Sequence, residues 1–384
     1  MHIPHHRLHT QQIAQQQFQQ PNELLNWMGA MQAQDYEMSK WAVALRLQPQ
    51  ANSKFNQPSP IGEGKGEVKQ QNEFGISENK IETALNNGEL IRTHILRPTW
   101  HIVAPENLRW MLDLSAPQLS RTLNSYSKSV GMDAKTLLQS EKIILKLLAQ
   151  KNHCTRDEIM ALLQSEKINT DNYRSAHIMF HAELNGLVCN GIRKGKENTY
   201  ALLDERIPAS KKINRDEALA KLATIYFQSH SPATLKDFSW WSGLNQTDAK
   251  KAIDFISKNL EKIEVDEQTY FVSVNEKNIP LAPFKGGITA NAEIHLLPAF
   301  DEYIISYNHR FDVIDKIHSS KAFTNNGIFK PMIVQDGKII GIWKRTIAGK
   351  KLKTEIFPFE KISNQTELEI EKKMEGFKKY LGVF

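Results

Sequence analysis

The sequence predicts an α+β chain in which helical modules, each closed by a strand pair, repeat along the chain and a small β-rich domain ends it. Three observations carry this reading. The helix–helix–strand order recurs, and two helix starts, Asp133 and Asn214, stand 81 positions apart, which suits a repeated module. After Pro283 the texture changes to short β-type runs. The chain is 384 residues long, and at about 100–200 residues per domain that length calls for several cores. Hydrophobic residues at 40% and charged residues at 24% are those of a soluble globular protein rather than a disordered or fibrous one. No stretch approaches the roughly 20 apolar residues that span a bilayer, and the N-terminus has no apolar signal core. Cys154 and Cys189 are too few for a disulfide framework or a Cys-rich zinc site, so a reducing cytoplasm is the expected location.

In chain order, Pro21 with Asn22 and Glu23 opens a helix through Trp27 and Met28, proline suiting a first turn. An amphipathic run follows from Met38 to Leu47. Gln48 to Gly75 is rich in Gln, Asn, Pro, Gly and Lys without apolar periodicity and reads as an inserted surface loop. Its Gly62-Glu63-Gly64-Lys65-Gly66 lacks the ending of a phosphate loop. Ser77 caps a helix that stops at Asn86-Asn87-Gly88. Leu90 to Val103 reads as extended structure broken at Pro98. Helices followed by a strand pair are the order of a winged helix-turn-helix.

The order recurs. A strongly apolar helix spans Asp133 to Gln150, and Thr155 with Glu158 forms a capping box for a second. Asp171 to Leu184 is a third, stopped by Asn185-Gly186. Leu187 to Leu203 then alternates around the tip Arg193-Lys194-Gly195-Lys196, a hairpin wing. A further copy starts at Asn214, paired with Glu217, and runs to about Ser229. Thr234–Trp241 and Asn245–Lys258 supply its other helices and Ile263–Val274 its wing. Beyond Pro283 the β-type runs are Ile294–Leu297, Tyr303–Tyr307, Pro331–Val334, Lys338–Trp343 and Leu352–Phe357. Asp336-Gly337 is a hairpin turn signal, and Glu367 to Leu381 is a closing helix. The expected organisation is therefore tandem winged-helix (helix-turn-helix) modules at 1–130 (with the inserted loop 48–75), 131–210 and 211–283, then a small β-rich C-terminal domain at 284–384.

Charge is distributed unevenly. Residues 1–76 carry six basic and six acidic side chains, 77–283 carry 27 and 25, and 284–384 carry 16 and 12, for a net +6. Between Asp336 and Glu355 there is no acid, while Lys338, Lys344, Arg345, Lys350, Lys351 and Lys353 supply six positive charges. Such a strip reads either as a solvated edge that resists aggregation or as a phosphate-contacting hairpin.

Few residues suggest chemistry. His177 and His181 have the i, i+4 spacing of a zinc helix, but Ile178 stands where Glu is required and no third ligand is evident. His2, His5, His6 and His9 read as a mobile terminus. Trp240-Trp241 reads as core. No familiar nucleophile, dinucleotide or Cys–His signature is present. There remains Met31-Gln32-Ala33-Gln34-Asp35-Tyr36. In an extended segment Gln32 and Gln34 share a face and both carboxamides converge; in a helix they diverge by about 200°. Taken alone, such a pair also fits ordinary surface polarity.

Three stretches change the weighting. Met28-Gly29-Ala30-Met31-Gln32-Ala33-Gln34-Asp35-Tyr36, Arg92-Thr93-His94-Ile95-Leu96-Arg97-Pro98-Thr99-Trp100-His101 and Leu297-Pro298-Ala299-Phe300-Asp301-Glu302-Tyr303, together with Gly341-Ile342-Trp343-Lys344-Arg345, resemble the AlkZ/YcaQ family of tandem winged-helix DNA glycosylases. The Gln-x-Gln form is closer to the AlkZ branch, and the insertion 48–75 departs from the family pattern. The resemblance implies a monomeric, cofactor-free and metal-free enzyme of base excision repair. It would act in the cytoplasm, at the nucleoid, on alkylated purines in double-stranded DNA, including bulky adducts or interstrand crosslinks. Neither a membrane nor an obligate protein partner is expected. It further implies Gln34 as the residue that positions water and Gln32 as the one that orients it or the sugar. Thr99, His101, Asp301 and Tyr303 match motif residues near the site, although His101 also reads as a hydrogen-bonded strand histidine and Asp301 after Pro-Ala-Phe as a turn anchor. Arg97, Arg193, Lys194, Lys196, Lys344, Arg345, Lys350 and Lys351 are the expected DNA contacts. The rival readings are a non-catalytic winged-helix DNA-binding protein, such as a transcriptional regulator, and a scaffold whose modules bind protein.

Overall fold

The computed structural model describes residues 2–49, 76–274, 293–349 and 351–383, so most of the inserted loop and Lys350 lie outside the described residues. The chain opens with α1 (Ile3–Thr10) and α2 (Pro21–Met28). Gly29, at φ 76°, turns the backbone into β1 (Ala30–Gln32). A side chain at Gly29 would strain that turn and meet Ile225 Cγ2 at 2.7 Å, so only glycine lets the turn pack so closely on a distant helix. Next come α3 (Tyr36–Ala44), capped by Asp35, α4 (Glu78–Asn87), ended by Gly88 in the left-handed region, and the strands β2 (Ile91–Ile95) and β3 (Arg97–Val103). β1 joins them in an antiparallel sheet of order β1-β3-β2.

α5 (Pro105–Ser129) is a 25-residue helix that keeps Pro117 inside it, and it leads to α6 (Ala134–Lys151), capped by Asp133. β4 (Cys154–Thr155), α7 (Arg156–Ser165), α8 (Arg174–Leu184), β5 (Val188–Asn190) and β6 (Thr199–Leu202) follow, the strands ordered β4-β6-β5. After the short α9 (Leu203–Arg206) come α10 (Arg215–His230), α11 (Leu235–Ser242), α12 (Gln246–Phe255) and the hairpin β7 (Leu260–Val265) and β8 (Gln268–Ser273). The C-terminal part has β9 (Ile294–Leu297), α13 (Glu302–Ile305), α14 (Ser319–Ala322), β10 (Met332–Gln335), β11 (Lys338–Ala348), β12 (Lys351–Pro358) and α15 (Asn364–Leu381). Its strands form an antiparallel sheet of order β12-β11-β10-β9.

Four expectations are corrected. The N-terminal His-rich segment is not a mobile tail: it forms α1, and its Arg7 is fully buried. Tyr303–Tyr307 is not a strand. The Asp301 carboxylate accepts from the Tyr303 N–H at 2.9 Å and starts a helical turn whose residues are all buried, which masks any alternation. Pro98 does not break the extended segment. The chain turns at Leu96, at φ 60°, and the exposed Pro98 sits beside a register shift in the β2–β3 pairing, a position where its missing N–H is tolerated. Of Trp240-Trp241, only Trp241 is core; Trp240 is 41% exposed.

The C-terminal sheet shares a core with the first helices. Trp41 packs on Phe377 and Tyr380 of α15 with ring centroids 5.1 and 4.9 Å away, and its indole donates to the Leu296 carbonyl at 2.9 Å. Trp343 joins the same cluster. α10, α11 and α12 pack with β2, β3 and α5 in another cluster, so the first sheet lies between the two. No helix among the described residues is long and apolar enough to cross a membrane.

Candidate active site

β1 runs antiparallel to β3 with Gln32 opposite His101. The pairing continues one step further, with the Ala33 N–H donating to the Trp100 carbonyl at 2.7 Å. The Gln34 carboxamide oxygen then accepts from the Thr99 hydroxyl at 3.1 Å. Met31 and Ala33 enter the core. Period-two alternation therefore puts Gln32, Gln34, Thr99 and His101 on the opposite face, the arrangement an extended Gln-x-Gln requires.

The two glutamines have different surroundings. Gln32 is 8% exposed. Its backbone N–H donates to Glu302 Oε1 at 2.5 Å, and its carboxamide oxygen accepts from Arg97 Nη2 at 3.1 Å. Arg97 Nη1 lies 3.5 Å from the Ile305 carbonyl, so this guanidinium is turned toward the glutamine and α13. Gln34 is exposed and lines a cleft of about 420 Å³. Tyr36, Trp100 and Tyr200 give that cleft aromatic walls, Arg92, Arg156 and Arg193 give it cations, and Asp157, Glu183 and Glu197 give it carboxylates. Arg92 donates twice to the Ala33 carbonyl, at 3.1 and 3.0 Å, while its guanidinium sits 4.4 Å from the Trp100 ring centre. It thereby fixes the backbone between the glutamines.

Beneath this face lies a buried polar group. Burial pushes the Glu302 carboxyl up, but the imidazole of His230 and the guanidinium of Arg97 outweigh it and hold the group at about 2. The Ser306 hydroxyl donates to its second oxygen, and His230 Nε2 stands 3.9 Å away, too far for a hydrogen bond. Burial lowers His101 to about 3, helped by Arg97. His101 is therefore neutral at ordinary pH. Its Nδ1 lies 3.0 Å from the Thr99 carbonyl, which can only accept, so Nδ1 carries the proton and the buried Nε2 presents a lone pair without a partner.

The other expected residues lie elsewhere or are engaged. Asp301 makes a two-point contact with the buried Arg46 at 2.7 and 2.9 Å. The buried Tyr303 hydroxyl lies 2.7 and 2.9 Å from the carbonyls of Gly337 and Pro4, tying α1 to the β10–β11 turn. Arg193 pairs with Glu37 and Glu82 at 3.0 and 3.4 Å and stacks on Tyr36 at 4.4 Å. Lys194 pairs with Glu158 at 2.9 Å. Lys196, Lys344 and Lys351 are exposed, and Arg345 is half-buried. His177 Nε2 is engaged by Ser127 Oγ at 2.6 Å and His181 Nδ1 by Glu141 at 2.8 Å. Among the described residues no group of three or more His, Cys, Asp or Glu is placed to hold a metal ion.

Reading the sequence missed Glu302 and Arg92. Both sit inside the quoted stretches, but only tertiary contacts, up to 270 positions apart in the Gln32–Glu302 case, assign them to this face.

The comparisons with known proteins agree with one another. The model of the family described as DNA glycosylase AlkZ-like matches residues 75–380, so Gln32 and Gln34 precede the matched span. A protein of Streptomyces sahachiroi described as an interstrand DNA cross-link repair glycosylase is 25% identical over 282 residues, covering 70% of this chain and 73% of its own. The solved structure of the Streptomyces sahachiroi DNA glycosylase AlkZ superposes with a TM-score of 0.73 at 20% identity, covering 99% of this chain and 96% of that one, which shows a common fold.

Proposed function

The chain belongs to the AlkZ-like DNA glycosylase family, and from that premise we propose that it hydrolyses the N-glycosidic bond of alkylated purines in double-stranded DNA, with Gln34 positioning the attacking water. The observation that carries this reading is the Gln32–Gln34 face. One carboxamide is held rigidly by Arg97, and the other lies open to a cleft lined with cations and aromatic rings.

Alkylation at N7 or N3 makes a purine cationic and a good leaving group. The C1′–N9 bond breaks with its electron pair passing to the base, which becomes neutral, and the sugar develops oxocarbenium character. Water then attacks C1′, and its proton passes to solvent, because a carboxamide orients water but cannot take a proton. Gln34 Oε1 has two lone pairs. Thr99 occupies one and leaves the other for a water hydrogen. Gln32, with its oxygen committed to Arg97, orients the sugar and keeps the strand in register. His101 is neutral and buried, which suits a fixed wall rather than a proton carrier.

The repeated helices and hairpins fit tandem winged-helix modules at 1–130, 131–210 and 211–283 before the β-rich unit at 284–384, a shape for gripping duplex backbone around a lesion. Lys196, Lys344, Arg345 and Lys351 are the phosphate contacts this reading favours. Interstrand crosslinks, named in the description of the Streptomyces relative, and bulky adducts belong to the same chemistry.

The test is release of N7-methylguanine from alkylated duplex by wild type and by Gln34→Ala. Wild type is expected to release the base, and the variant to lose roughly 10²-fold in rate while binding duplex equally well. Equal release by both would remove Gln34 from the chemistry. Tight binding without release by either would support the non-catalytic DNA-binding reading.

A further inference from the structure

Beside the cleft of Gln34 lies a second cavity, of about 340 Å³, between the β2–β3 turn, α5 and α8. Close-packed interiors leave few voids larger than a water molecule, so an opening of this size is a feature of the surface rather than a packing accident. Trp100, Arg156 and Tyr200 line both spaces, which makes the two cavities neighbours across one wall. The surface it exposes is mostly apolar, with Arg156 as the cation on the shared wall. His94 is sandwiched between Trp100 and Phe180, with ring centroids 4.5 and 4.4 Å away and interplanar angles of 41° and 45°. Glu183 fixes His94 through Nδ1. Tyr126, 43% exposed, stands at the mouth.

We propose that this cavity is an adduct pocket: it receives a flat aromatic substituent carried on an alkylated purine whose glycosidic bond lies at Gln34. The proposal rests on the glycosylase reading above and names a substrate class for it. Its chemistry selects the arm of the adduct rather than the purine. A purine edge needs hydrogen-bond partners, and burying it unpaired is costly. Most polar atoms on these walls are already engaged, His94 Nδ1 with Glu183, His177 Nε2 with Ser127 at 2.6 Å and Arg156 Nη2 with Ser175 at 2.7 Å, and His177 Nδ1 is left as a buried atom without a partner. An apolar ring meets no such penalty, and aromatic walls favour it by stacking and edge contacts. A volume of about 340 Å³ admits a one- or two-ring group, near the lower end of small-molecule sites.

The test compares duplexes carrying N7-benzylguanine with duplexes carrying N7-methylguanine, using wild type, Ala176→Trp and Thr122→Trp. Both substituted positions are exposed residues of the cavity lining, on opposite helices, so each indole would fill the space without breaking a core. Wild type is expected to release both bases. In each variant the benzyl-to-methyl ratio of kcat/KM is expected to fall roughly ten-fold or more. An unchanged ratio in both variants, with circular dichroism matching wild type, overturns the pocket. Release of methylguanine but not benzylguanine by wild type also overturns it, while leaving the glycosylase reading intact. Release of neither overturns that reading, and the pocket with it.

Discussion

Glu302 holds the backbone of Gln32 from 270 positions away, and its charge belongs to the folded state. Its carboxyl falls from 4.5 to about 2 on folding, so the stability it contributes is complete above about pH 4.5 and is lost as pH falls toward 2. His101 acts in the same direction. It is held neutral to about 3 against an ordinary 6.5, so the unfolded chain takes up a proton between those values and the folded chain does not. The thermal midpoint is therefore expected to drop as pH is lowered from 6.5 to 3. His101→Gln should flatten that drop, which melting curves at several pH values would reveal; an unaltered slope would show that His101 is not held neutral. Asp301 plays a structural part at the same turn. Asp301→Ala strands Arg46 as a buried unpaired cation, with an expected cost of about 3–5 kcal/mol in urea unfolding. A loss below about 1 kcal/mol would mean that Arg46 reaches water or another partner.

What could be read ahead at the scale of elements was what local chemistry decides. Thr155 and Asn214 cap helices because their side chains accept from backbone N–H groups three residues on, whereas Ser77, also expected to cap, starts α4 without such a side-chain bond. Asp336-Gly337 turns a hairpin because both residues take positive φ, 49° and 85°. The glutamine face followed from strand alternation. α1 was hidden because it is held by polar burial rather than by an apolar stripe. Arg7 lies 3.0 Å from Asp312 and 4.0 Å from Asp237, donates to the Pro232 carbonyl at 3.0 Å and sits 3.7 Å over the Tyr307 ring. No local pattern announces partners more than 200 positions away. Arg7→Ala leaves two carboxylates facing a cavity, and calorimetry should record a loss of about 3–5 kcal/mol. A variant that melts with wild type would show that α1 is dispensable to the fold.

For the molecule as a whole, the +6 net charge matters less than which cations remain available to a polyanion. Arg193 and Lys194, on the expected basic wing, are engaged by Glu37, Glu82 and Glu158. The far ends of β11 and β12 are different. β10 accompanies β11 only as far as the Met332–Ile342 pair, so Lys344 to Ala348 pair with β12 alone and form a two-stranded arm beyond the sheet. Lys344 and Lys351 are exposed on it. Each phosphate a cation neutralises on duplex DNA contributes about 0.9 to the slope of log binding constant against log salt. If the arm grips the backbone, Lys344→Ala with Lys351→Ala should reduce that slope by roughly 1–2 and weaken binding on every sequence alike, whereas Arg193→Ala should leave the slope unchanged because its charge is already paired. Titrations of an undamaged duplex over a range of salt concentrations separate these cases. A slope that responds to Arg193 but not to the lysine pair would move the interface from the arm to the wing.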